Sequence, residues 1–159
     1  MRLYVQLLLW LESAVAVVAY LTTAALLASQ ILAREVLTTS IDGGGKVAVL
    51  CAIVAGSLGM VIATGENAHL RPSFADGLLR GKGVERFGDV LSAALHIFLG
   101  YFAILFVAES RAFNDLAALI RIPLWPIQLV FPYMFFSSAF KHLIFAWHPE
   151  WKPRPILRD

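Results

Sequence analysis

Four long apolar stretches fill most of this 159-residue chain, running roughly over Leu3–Ala33, Val47–Ala63, Val90–Ala108 and Ile122–Ala146. Each reaches or approaches the ~20 residues that carry a helix, at ~1.5 Å per residue, across a ~30 Å hydrocarbon core. Little chain is left between them for a soluble domain. Charged residues make up 15% of the sequence, against about 25% for a soluble domain. The expected fold is therefore all-α, an integral membrane four-helix bundle forming one domain over 1–159. Its spans fall at about 13–33, 46–64, 89–109 and 122–146, with a tail over 149–159. A net charge of +2 makes a poor case for nucleic acid. Cys51 is the only cysteine, inside the second stretch, and reads as a packed membrane thiol.

The first stretch is longer than one perpendicular span, because about 31 residues extend ~46 Å as a helix. Glu12 divides it. Leu3–Leu11, with Trp10, reads as an interfacial lead and the span begins near Ser13. An N-terminal secretory signal is disfavoured, since Glu12 would sit in its apolar core and the run continues past any plausible cleavage point. In the second stretch Ala52, Ala55, Gly56, Gly59 and Ala63 make overlapping small-residue pairs of the kind that lets helices approach closely in lipid. The fourth contains Pro126 and Pro132, and a kink is expected near Pro132.

Lys and Arg set the orientation. With four spans, one side carries Arg2, Arg71, Arg80, Lys82, Arg86, Lys141, Lys152, Arg154 and Arg158, nine in all. The other carries Arg34, Lys46, Arg111 and Arg121, which is four. Both termini are thus expected in the cytoplasm. Trp10, Trp125, Trp147 and Trp151 fall at span ends, as an aromatic belt requires. The Gly43-Gly44-Gly45 turn lacks the spaced glycine and Lys-Ser/Thr pair of a phosphate loop. In the middle loop, Phe74–Leu79 reads as a short amphipathic segment capped by Ser73. The tail from Pro149 is expected to be extended.

Few residues carry potential chemistry. Glu12 is an ionisable group at the edge of a span. It reads as an interfacial or helix-start carboxylate with a basic partner, and a proton-coupled exporter built on it is the sharper alternative. His96 and His142 lie on spans three and four and could ligate a haem axially, which would make the chain a redox-complex anchor. Otherwise they serve as bundle contacts. His69 and His148 fall in loops. Gln30 and Arg34 share a helix face, with Glu35 adjacent, as an interfacial cluster or a partner contact. No nucleophile–base set, carboxylate pair or metal-ligand spacing is recognisable, so no enzyme, metal site or resident cofactor is expected. The polar, discontinuous midplane of a stand-alone transporter is missing as well.

Several short motifs occur in a familiar order. Leu11-Glu12 opens the first span and Gln30-Ile31-Leu32-Ala33-Arg34 ends it. Gly59–Arg71 closes on His69-Leu70-Arg71, and Ile122-Pro123-Leu124-Trp125 precedes Pro132. Over roughly Trp10–Trp147 this resembles the DctQ-type small permease subunit of tripartite ATP-independent periplasmic (TRAP) transporters. The chain departs from the family pattern at Asp42–Lys46, where an acidic pair is common, and at Pro72-Ser73, where Val-Asp is usual.

The resemblance implies a non-catalytic scaffold in a bacterial inner membrane. Its partners would be a large elevator-type permease subunit, which carries the substrate and sodium sites, and a periplasmic binding protein. Transport would be sodium-driven uptake of organic acids. Candidate partner-contact or interfacial residues are Glu12, Gln30, Arg34, Gly56, Gly59, His69, Arg71, Pro123, Trp125 and Pro132.

Overall fold

A computed structural model describes residues 2–39, 42–66, 82–118 and 120–153. It contains helices α1 (Arg2–Leu37), α2 (Gly44–Gly65), α3 (Lys82–Ala112), α4 (Trp125–Gln128) and α5 (Val130–Trp147), then a 3-10 turn at Pro149–Trp151. The described residues contain no strand, only a single bridge between Leu116 and Pro123. Four helical stretches are long and apolar enough to cross a membrane: Gln6–Val36, Gly44–Gly65, Gly83–Ala112 and Trp125–Trp147. The shortest, at 22 residues, extends ~33 Å against a ~30 Å hydrocarbon core. The chain is a multi-pass membrane protein. The expected amphipathic segment at Phe74–Leu79, with Ser73, lies outside the described residues, as do His69 and Arg71.

The long helices alternate in direction. Leu9 lies against Gly65, and the Gln30 side chain against Gly45, so α1 and α2 are antiparallel. Asp89 near the start of α3 meets His142 near the end of α5, which makes that pair antiparallel as well. Gly43 faces Ile120, so the short links at 38–43 and 113–124 share one end of the bundle. That is called the loop end here, and the opposite one the terminal end. Helices α2 and α5 occupy the middle, with α1 packed along α2 and α3 along α5.

The helix α1 runs unbroken through Glu12, where a division into lead and span was expected. It contains no glycine or proline to interrupt it, and the carboxylate finds its partners sideways in the bundle. Hydroxyls on the same helix are satisfied locally: Thr22 donates to the Val18 carbonyl at 2.8 Å and Thr23 to that of Ala19 at 2.9 Å, as lipid surroundings demand.

Pro132 breaks the fourth span one turn earlier than expected. The chain leaves α4 at Gln128, turns at Leu129 and re-enters helix at Val130. A proline ring displaces the carbonyl four residues before it, which here is that of Gln128, so the interruption falls there. The tail also differs from expectation. Instead of extending from Pro149 it folds into the 3-10 turn, with the His148 and Trp151 rings stacked at 4.4 Å. Glu150, on the same turn, accepts from His148 Nδ1 at 2.9 Å. Its own backbone amide and this contact hold its carboxyl below the usual value.

The stripe of Ala52, Gly56 and Gly59 faces outward, and a side-chain carbon added at either glycine would meet nothing. Close packing inside the protein uses other positions, among them Ala48, Ser57, Leu58, Val61 and Thr64. Most of α1 likewise points away from the protein, including Trp10, Val18, Tyr20 and Leu32.

Candidate functional site

Polar chemistry concentrates where α1, α2 and α5 meet. Tyr133, Ser137 and Lys141 recur every four residues on α5 and therefore share one face. All three converge on Glu12 of α1. The Tyr133 and Ser137 hydroxyls each donate to Oε1 at 2.8 Å, and Lys141 Nζ donates to Oε2 at 2.5 Å. The ammonium also donates to the Val61 carbonyl of α2 at 3.1 Å. Just beside it, Thr64 donates to Ser138 at 3.4 Å. The side chains of Lys141 and Glu12 are 0% and 2% exposed.

Glu12 does have a basic partner, and the pair is enclosed by the protein. Two charges in an apolar bundle are tolerable only when paired and further hydrogen-bonded, and both conditions hold here. The signal available in the sequence was that Glu12 and Lys141 carry opposite charge within apolar stretches. Each would be costly alone. Counting Lys141 only among the cations that set the orientation missed this. Removing it from the charge count leaves eight of the nine on that side against four, so the asymmetry survives.

A second cluster lies at the terminal end. Asp89 is buried on α3 and accepts from Lys152 Nζ at 2.9 and 2.6 Å, with His142 Nδ1 at 3.1 Å. It thereby pins the 3-10 turn to the bundle. Asp89→Asn is expected to cost about 1–3 kcal/mol. It should also speed hydrogen exchange at the Trp151 and Lys152 amides, whose bonds to His148 and Pro149 close the turn. Unchanged exchange there would show that the turn holds without the carboxylate.

His96 and His142 come together, as a haem reading would require. Their rings pack against each other with centroids 5.4 Å apart at a 43° tilt, beside Phe135. Nδ1 of His96 bonds the Ser92 carbonyl at 2.7 Å. This is ring packing between α3 and α5. Among the described residues no group of three or more His, Cys, Asp or Glu side chains could hold a metal ion.

The other candidates lie apart from one another. Arg34 pairs with Glu35 at 3.1 Å with both side chains mostly exposed, and not with Gln30, which covers Gly45. Pro123 bridges to Leu116 in the loop that also binds the Leu124 amide to the Asp115 carbonyl. Trp125 starts α4 under the Arg111 guanidinium, 5.3 Å from its ring centre. Pro132 is buried at the start of α5.

Among the described residues, open and mainly apolar grooves score the sides of the bundle. One of about 630 Å³ lies between α1 and α2 and includes Tyr20 and Gly56. One of about 510 Å³ lies between α3 and α4–α5, and one of about 310 Å³ runs past Leu8 and Phe140. None gathers the convergent polar groups that orient a small polar substrate.

The model for the DctQ component of tripartite ATP-independent periplasmic transporters matches residues 23–149. Comparison with curated proteins and with solved structures finds no match.

Proposed function

The chain belongs to the DctQ family of small TRAP-transporter subunits, and from that premise we propose that it is the scaffold on which a large permease subunit is anchored. The observation that carries the reading is the division of its surface chemistry. The buried charges Glu12, Lys141 and Asp89 are committed to bonds within the chain. The outward face is apolar and includes the Gly56–Gly59 stripe. Such a molecule offers contact area and rigidity, and its described residues form no polar midplane where a solute could bind.

In this reading the terminal end faces the cytoplasm of a bacterial inner membrane, following the eight-to-four excess of Lys and Arg. A periplasmic binding protein delivers an organic acid to the large subunit, and sodium ions bound there drive uptake. The small subunit contributes no catalytic residue and no cofactor. The loop end, with Arg34, Glu35 and the 113–124 link, would face the binding protein.

Affinity purification of the tagged chain from native membranes tests the proposal. A large multi-span permease should co-purify, and the pair in proteoliposomes should take up an organic acid only with a sodium gradient and the binding protein. A lone chain that transports by itself would overturn it. So would a Soret band in the purified protein, which would favour a redox anchor.

A further inference from the structure

Arg111 closes the end of α3 with an uncompensated charge. At the same end of the bundle Arg34 is neutralised by Glu35. Arg111 is exposed and forms no ion pair among the described residues, although Glu109 and Asp115 are near in sequence. Its guanidinium instead stands over the Trp125 ring, which positions the cation. Beneath it opens the 510 Å³ groove, whose wall on α3 is Ile104, Val107, Ala108 and Ala112, faced by Leu129 and Pro132. The α3 residues follow the i, i+3, i+4 spacing of one helix face.

The dimensions fit one leaflet of a bilayer. From Arg111 to Ile104 the groove descends seven residues, about 10 Å along the helix, within the ~15 Å that is half a ~30 Å hydrocarbon core. A tryptophan and an arginine at a helix end mark headgroup depth. An apolar channel that starts at headgroup level, stops within one leaflet and has a bare cation at its mouth is complementary to a lipid. A helix that crosses the membrane would extend well beyond a groove of about 10 Å.

We propose that this groove is a binding site for one glycerophospholipid, with an acyl chain between α3 and α4–α5 and the phosphodiester on the Arg111 guanidinium. Arginine's planar fork suits phosphate oxygens, and the aromatic ring beneath it keeps the fork turned to the headgroup layer.

Native mass spectrometry of the full chain in mild detergent, titrated with phosphatidylglycerol, tests the site. One tightly held copy is expected. Arg111→Gln should weaken it about tenfold, Arg111→Lys should recover part of the loss, and Arg34→Gln should change nothing. Ala108→Phe, which fills the groove, should displace the lipid with the arginine still present. Diacylglycerol of the same chains should bind about tenfold more weakly than phosphatidylglycerol.

Equal occupancy in wild type, Arg111→Gln and Ala108→Phe would overturn the proposal, and equal binding of the two lipids would overturn the headgroup contact. Cross-linking of a cysteine at position 108 to a co-purified permease, with no lipid retained, would show the groove to be a seat for a partner helix. Melting midpoints in the same detergent separate a lost site from a lost fold. Should Ala108→Phe not fold, the exposed Arg111 variants and the lipid pair still decide.

Discussion

Lys141→Met, with Glu12 left in place, is expected to destabilise the subunit by about 3–5 kcal/mol, the range found when one member of a buried ion pair is removed. Methionine keeps the length and flexibility of the lysine stem, so packing changes little. What changes is the carboxylate, which keeps the Tyr133 and Ser137 hydroxyls but loses its ammonium. The Val61 carbonyl loses its second donor too, though it remains within α2. Glu12→Gln should cost less, because the amide oxygen can still accept from Lys141 and the ammonium keeps Val61.

The informative variant is the pair, Glu12→Gln with Lys141→Met. Removing both charges should recover much of what Lys141→Met loses, since neither charge is then buried alone. Unfolding in mixed micelles, read as a double-mutant cycle, measures this. A Lys141→Met variant that melts with the wild type would show that the bridge contributes little. The same pair separates the functional readings. A scaffold with both charges neutralised should still hold its permease and support transport. A proton-coupled exporter would lose its only buried carboxylate of α1 and stop.

Helix number and the alternating direction of the spans were legible in the sequence, because the length of an apolar run is enough to specify a span in lipid; which spans lie side by side was not. Nor was the face of each span that turns inward. In water a helix advertises its buried face by an apolar stripe, but a span is apolar all round and that contrast disappears. The small residues of α2 illustrate the loss. Gly56 and Gly59 stand out in the sequence, yet Ala48, Ser57, Val61 and Thr64 are buried within the chain.

Polar residues carry the missing information, but only in pairs. Glu12 taken with its own helix reads as a boundary residue, and Lys141 taken with its own reads as one more cation on the terminal side. Taken together they specify that α1 and α5 meet. Pro132 was located correctly as a disruption, but its effect falls one turn upstream because the clash is with a carbonyl four residues back. The tail bonds to Asp89, some sixty residues earlier in the chain, and proline content alone could not reveal that contact.

Gly100→Leu is expected to lose about 1–3 kcal/mol, as overpacking of a close helix contact does. Gly100 is buried where α3 crosses α5. A carbon added there would lie 2.9 Å from Cζ of Phe136 and 3.1 Å from its Cε1 and Cε2, so the end of the ring sits directly on the glycine backbone. A rigid ring cannot shorten to make room. It must swing toward Phe140, one turn along its own helix, or the two helices must separate, which would sacrifice the close contact that holds helices together in lipid. Truncating the ring should therefore compensate, so Gly100→Leu with Phe136→Leu should melt nearer the wild type than Gly100→Leu alone. Gly56→Leu is the control, since its added atoms meet nothing within the chain and leucine is the better helix former by about 0.8–1 kcal/mol. The isolated subunit should tolerate it. If the outward stripe meets the permease, the same Gly56→Leu change should reduce co-purification, whereas Gly100→Leu should act first on the subunit's own stability.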